Sequence, residues 1–285
     1  MKTQPEPTPG CDAARDWLQQ QRAELRDDCE HLLLAHLNWD RARLRRDGGQ
    51  PLSSGNIEQL RTMVQRLETG EPLAYLLGEQ PFHNIALNVD PRVLVPRSDT
   101  ETLVELALEY CKVQGHNSRV LDLGTGSGAI AIALANAMPS LRITATDASR
   151  DALAVADANV QRWQADIKLL QSNWFGAVTG CFDLIVSNPP YIAANDPHLP
   201  DLQHEPGQAL VAGTDGLSDL RIIIDAAPAF LEPGGTLMVE HGYDQQQPVA
   251  DLFASAGFAK VRCERDLGNR PRVTLGLSQG QRRAP

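Results

Sequence analysis

At 285 residues, with 42% hydrophobic and 22% charged side chains, the chain has the balance of a globular protein of about two domains. Its net charge of −10 is concentrated beyond residue 70, where 16 Lys+Arg face 25 Asp+Glu, against 10 and 11 before it; a polyanion could bind there only through a local basic patch. No stretch approaches the ~20 apolar residues of a membrane span, and five scattered cysteines without a C-x-x-C pair argue against a disulfide framework or a zinc site and for a reducing cytoplasm.

Residues 1–10 are polar and proline-rich, lack the apolar core of a secretory signal, and are expected to be disordered. Residues 12–72 are expected to form a small helical domain. Trp17, Leu18 and Leu25 recur at helical spacing, as do Leu32, Leu33, Leu34 and Leu37 on a second helix. Ser53-Ser54 caps a third helix carrying Ile57, Leu60, Val64 and Leu67; Gly70 stops it and Pro72 follows. His31 and His36 are wrongly spaced for one helical face, so no metal site is expected. The basic cluster Arg41, Arg43, Arg45 and Arg46 reads either as a solvated helix face or as a contact for an acidic partner or RNA.

Residues 73–98 change character. Phe82, Ile85, Leu87, Val89, Val93 and Val95 are interrupted by Pro81, Pro91 and Pro96, as in a hairpin or extended linker. From residue 99 to about 280, strands alternate with helices. Strands are expected at 119–123, 143–146, 167–170, 182–186 and 236–240, with a terminal pair at 258–263 and 272–277. Helices are expected at 129–138, 152–163 and 220–230. Such alternation requires crossover connections and a mostly parallel sheet, whose ligands sit at the carboxyl ends of the strands.

Three features cluster at those ends. The first strand runs into Asp122-Leu123-Gly124-Thr125-Gly126-Ser127-Gly128, a turn whose glycines allow close backbone approach to a ligand. The pattern is G-x-G-x-G, neither the dinucleotide G-x-G-x-x-G nor a phosphate-binding loop ending in Gly-Lys-Ser/Thr. The second strand ends at Asp147, where an acid can bind ribose hydroxyls or cap the next helix, although Ser149 could cap it instead. Trp174 follows the third strand and could face a ligand or simply pack in the core. The fourth strand ends in Asn188-Pro189-Pro190-Tyr191. Two prolines forbid both helix and continued sheet, so the turn is rigid and gathers the Asn188 amide, backbone carbonyls and the Tyr191 ring. Such a spot can grip a planar NH2 group.

The glycine turn with Asp122 and Asp147 resembles the S-adenosyl-L-methionine site of class I methyltransferases. Asn-Pro-Pro-Tyr is similar to the motif of amino methyltransferases. Residues 93–101, Val-Leu-Val-Pro-Arg-Ser-Asp-Thr-Glu, resemble a segment of the bacterial release factor glutamine methyltransferases, with Asp99 standing where that family usually has Glu. Glu205-Pro206, Ala209-Leu210 and Asp215-Gly216-Leu217 resemble its next block, and Arg265-Asp266-Leu267 with Arg270 and Arg272-Val273 its closing strand pair, so the likeness spans almost the whole chain.

This resemblance implies a Rossmann-like α/β fold: a mostly parallel seven-stranded sheet with a terminal antiparallel pair, behind a small helical domain. Gly124, Thr125, Gly126, Ser127, Gly128, Asp147, Trp174 and Asn188 would bind S-adenosyl-L-methionine, leaving S-adenosyl-L-homocysteine. Asn188, Pro189 and Tyr191 would be catalytic, and with Pro190 would bind the substrate. That substrate would be the glutamine of the Gly-Gly-Gln loop in class 1 peptide chain release factors, methylated at N5. The helical domain would dock the release factor, and the enzyme would be a cytoplasmic monomer with no nucleic-acid substrate and no membrane. Two rivals share the motif. A DNA adenine-N6 methyltransferase must flip a base and hold phosphates, which the acidic charge opposes; a noncatalytic cofactor binder would not need the Asn188 turn.

Overall fold

The computed structural model describes residues 13–115 and 117–280; the segment 1–10 expected to be disordered lies outside them. The chain divides into two compact units, Met1–Gly78 and Glu79–Pro285.

The first unit contains α1 (Ala14–Gln20), α2 (Arg26–Leu37), α3 (Arg41–Asp47), α4 (Ser54–Glu68) and α5 (Leu73–Leu77). Trp17, Leu18, Leu32, Leu33 and Leu60 close its core. Leu25 falls in a short 3-10 turn, Ala23–Leu25, rather than on the first helix. Ser53 caps α4 by accepting from the Asn56 N–H at 3.2 Å, and Gly70 follows the helix end with φ of 87°. Two further helices join the three expected from apolar spacing, the first on the segment read as a solvated helix face. The arginine cluster forms α3, started by Asp40, whose carboxylate accepts from the Arg43 N–H at 2.6 Å. Residues 73–77, read as the start of a linker, form α5 after the N-cap Pro72. The clustered arginines are partly matched by acids, Arg41 by Glu30 at 2.7 Å and Arg46 by Asp47 at 3.0 Å, and Arg43 stacks over Trp39.

The second unit opens with a hairpin of β1 (Glu79–Phe82) and β2 (Ile85–Asn88), paired antiparallel. His83 turns it with φ of 51°. There follow α6 (Glu101–Gln114), β3 (Arg119–Leu123), α7 (Ala129–Ala137), β4 (Arg142–Asp147), α8 (Arg150–Trp163), β5 (Ile167–Gln171) and β6 (Phe182–Ser187). The chain ends with α9 (Ser218–Ala226), β7 (Leu231–Glu240), α10 (Gln246–Ser255), β8 (Ala259–Arg265) and β9 (Pro271–Leu277). Seven strands form one sheet in the order β5-β4-β3-β6-β7-β9-β8. Its first five members are parallel; β9 runs antiparallel between β7 and β8. Apolar clusters cover both faces, one built on α6 and α7, the other on α9 and α10.

Chain order reverses between β3 and β6, and that switch point opens a crevice at the strands' carboxyl ends. Register decides what meets there. Leu123 pairs with Thr146 on one side and with Ser187 on the other. The residues that follow, Gly124, Asp147 and Asn188, therefore emerge side by side.

Candidate active site

The glycine turn is held in a conformation that L side chains resist. Gly124, Gly126 and Gly128 have φ of 72°, 57° and 87°. A Cβ on Gly124 would meet the Trp174 ring at 3.3 Å, and one on Gly128 would meet Ile132 Cδ1 at 2.9 Å. Gly128 thus serves the packing of α7. Thr125 and Ser127 are buried. The Thr125 hydroxyl donates to Asp122 Oδ2 at 2.6 Å. Asp122 is fully buried, and that burial pushes its carboxyl up to about 7 against the pull of Thr125. It braces the turn from below.

Asp147 accepts the Gly126 N–H on Oδ2 and the Ser149 N–H on Oδ1, both at 2.9 Å. Burial raises its pKa, while the Ser149, Gly126 and Ala148 N–H groups hold it down. The cap of α8 is Ser149, whose Oγ accepts from the Ala152 N–H at 3.2 Å. A carboxylate offers about four acceptor positions, so Asp147 keeps acceptor capacity for a ribose hydroxyl. Trp174 adopts φ of 46° and donates its indole N–H to Asp219 Oδ1 at 3.2 Å. This sets the ring over Gly124, at the cleft wall.

In the Asn-Pro-Pro-Tyr turn, Asn188 Nδ2 donates to Thr100 Oγ1 at 3.0 Å. The Tyr191 hydroxyl donates to Glu240 Oε1 at 3.2 Å; burial first, then the Glu240 charge, raises the phenol pKa. Gly124, Gly126, Asp147, Trp174, Asn188 and Pro190 line one cleft. Thr125, Ser127, Gly128, Pro189 and Tyr191 are not among its lining residues.

The same cleft is also lined by Arg92, Val93 and Leu94 together with Pro206 and Gln208. The two segments are joined by Glu205, which accepts the Val95 N–H at 3.0 Å and pairs with the Arg97 guanidinium. Sequence reasoning had noted both blocks without assigning them a wall. It also missed Thr100 and Glu240, whose one signal was an acid ending an apolar strand. Asp99, the shorter acid, still reaches Arg272 at 2.9 Å. A second hollow, around Tyr110, Ser118 and Gly234, lies at the amino ends of β3 and β6. It is away from the carboxyl edge where such sheets bind ligands.

The glycine turn, the half-buried Asp147 with its spare acceptor capacity and the aromatic wall fit an adenosyl cofactor that carries ribose hydroxyls. Comparison with known proteins agrees. Residues 99–205 match the methyltransferase small domain and residues 12–78 match the PrmC N-terminal domain. The chain is 44% identical over 270 residues to the release factor glutamine methyltransferase of Salmonella typhimurium, covering 91% of this chain and 97% of that one. It is 45% identical over 259 residues to the enzyme of the same name from Xylella fastidiosa (strain Temecula1), covering 90% and 94%. In fold it is similar to a methyltransferase from Pyrococcus furiosus, with a TM-score of 0.51 at 17% identity over 79% of this chain and 98% of that one.

Proposed function

The chain belongs to the release factor glutamine methyltransferases, and on that premise we propose how its cleft works: it methylates the side-chain nitrogen, N5, of the glutamine in the Gly-Gly-Gln loop of class 1 release factors. The observation that carries this reading is the Asn188 carboxamide beside Gly124 and Asp147, with its Nδ2 end already committed to Thr100. Its Oδ1 end is an acceptor, suited to an incoming N–H.

An amide nitrogen is a weak nucleophile because its lone pair is delocalised into the carbonyl. Asn188 Oδ1 accepts one of its N–H groups and the Pro189 carbonyl, although Pro189 is not among the cleft-lining residues, is the next acceptor along the turn for the other; together they hold it in line and stabilise the positive charge that grows as it becomes tetrahedral. S-adenosyl-L-methionine supplies the methyl group on a sulfonium sulfur that leaves as the thioether of S-adenosyl-L-homocysteine. The new N–C bond forms as the C–S bond breaks, and the cationic amide then loses one N–H proton to water. Asp147 holds the ribose; the Gly124–Gly128 turn and Trp174 shape the rest of the cofactor site. Tyr191, anchored on Glu240, stiffens the turn.

The helical unit docks the release factor, and the protein works as a monomer in the cytoplasm. Nucleic acid is not its substrate: the 25 Asp+Glu against 16 Lys+Arg beyond residue 70 repel phosphate backbones. Among the described residues no helix is long and apolar enough to cross a membrane. The test is direct. The protein is incubated with methyl-labelled cofactor and either a class 1 release factor or duplex DNA. Label should enter the factor, on its Gly-Gly-Gln peptide; label on DNA alone would overturn the proposal.

A further inference from the structure

The parallel register that pairs Ser187 with Val239 brings Asn188 and Glu240 to the same end of the sheet. Glu240 is fully buried, a costly place for a carboxylate that lacks partners. The Tyr191 hydroxyl donates to its Oε1 at 3.2 Å. The Thr100 hydroxyl and the Arg272 guanidinium lie beside it and favour its charged form, while Asp99, paired to Arg272 at 2.9 Å, opposes that form. Arg272 is also tied to Asp266 at 3.2 Å. The adjacent His241 ring is turned to Thr274 and the Gly242 carbonyl. No hydrogen bond of normal geometry reaches Glu240 Oε2.

Thr100 Oγ1 accepts from Asn188 Nδ2 at 3.0 Å. The two ends of a carboxamide have nearly the same shape, so only its partners decide which end points where. A hydroxyl has one proton. When that proton is drawn to Glu240, Thr100 can only accept from Asn188, which leaves Asn188 Oδ1 for the cleft. When it is not, the hydroxyl can donate to Oδ1; the amide then turns over and meets the substrate N–H with a second donor.

We propose that Glu240 is a positioning residue for methyl transfer: it draws the Thr100 and Tyr191 hydroxyl protons, so that Asn188 presents its oxygen to the target nitrogen. The inference rests on the reading that Asn188 Oδ1 accepts from that nitrogen. Glu240 acts in its ionised form. Burial pushes its carboxyl up to about 7, so the charged acceptor is present above that pH and lost as the pH falls through it.

Glu240→Gln keeps the shape and replaces a charged acceptor with an amide. Its kcat on release factor should fall about 10- to 100-fold, the worth of hydrogen bonds to a charged group. Cofactor Kd by calorimetry and KM for the factor should stay as in the wild type. The rise of kcat through about pH 7 in the wild type should be absent in Glu240→Gln. Thr100→Val should lose a similar factor, and the double variant should be no slower than the slower single one. Unchanged kcat in either folded variant, or an acid limb that persists in Glu240→Gln, would overturn the proposal. If Glu240→Gln does not fold, the kcat of Thr100→Val decides. Asn188→Ala, measured alongside, separates the two levels. Lost turnover there with full activity in the other variants sinks the positioning role alone. Retained turnover in Asn188→Ala sinks the reading of the site itself.

Discussion

Asn188 has one polar end to spare. With Nδ2 held by Thr100 Oγ1 at 3.0 Å, chemistry in the cleft meets an acceptor. The residue type and its place after an apolar run were legible in the chain; the partner that orients it, Thr100, was not, because it lies on a segment distant in sequence. Asp147 repeats the pattern. An acid ending the second strand was readable, with Ser149 as the other candidate cap; the structure gives the cap to Ser149 and leaves the carboxylate to Gly126, Ser149 and the cleft. Asp147→Ala should weaken S-adenosyl-L-methionine binding about 10- to 100-fold, the worth of a charge-assisted hydrogen bond. Titration calorimetry checks this, and an unchanged Kd would remove Asp147 from the cofactor site. The α8 cap survives the substitution, so the fold should persist.

At the scale of elements, buried parallel strands announce themselves as short apolar runs, because both faces are covered. β3, β4 and β6 were readable for that reason, whereas β5, an edge strand with no fully buried residue, was readable only from its short run Ile167 to Leu170. β7 begins at Leu231 rather than at Thr236, since Glu232-Pro233-Gly234-Gly235 looks like a turn in sequence but is carried in the strand as an irregularity opposite Phe182 and Leu184. α10 was missed. It starts among glutamines with Pro248 in its first turn, where a missing N–H costs nothing. The turn before α7 offers the sharpest test. Gly128 has φ of 87° and its Cβ position lies 2.9 Å from the Ile132 side chain. Gly128→Ala should therefore destabilise the protein by about 1–3 kcal/mol, from left-handed strain and crowding of a packed core. Denaturant unfolding measures it. A wild-type midpoint would mean that the turn can relax without cost.

At the scale of the molecule, charge and fold act together. On the proposal that the acidic catalytic unit repels nucleic acid, excess duplex DNA at about 50 mM salt, where phosphate binding is strong, should leave the rate of release factor methylation unchanged. Salt-sensitive inhibition by DNA in that assay would reveal a basic path across the surface. By itself the sequence determined the fold class, the strand–helix alternation, the glycine turn, the acid after the second strand and the amide after the fourth. These are local properties, set by periodicity and by the backbone freedom of glycine and proline. Only the tertiary structure decided that Gly124, Asp147 and Asn188 share a cleft, because register between parallel strands sets which strand ends are neighbours. It alone brought Glu240, Thr100 and Arg272 behind the turn, because a buried carboxylate must find its donors wherever the packed chain supplies them.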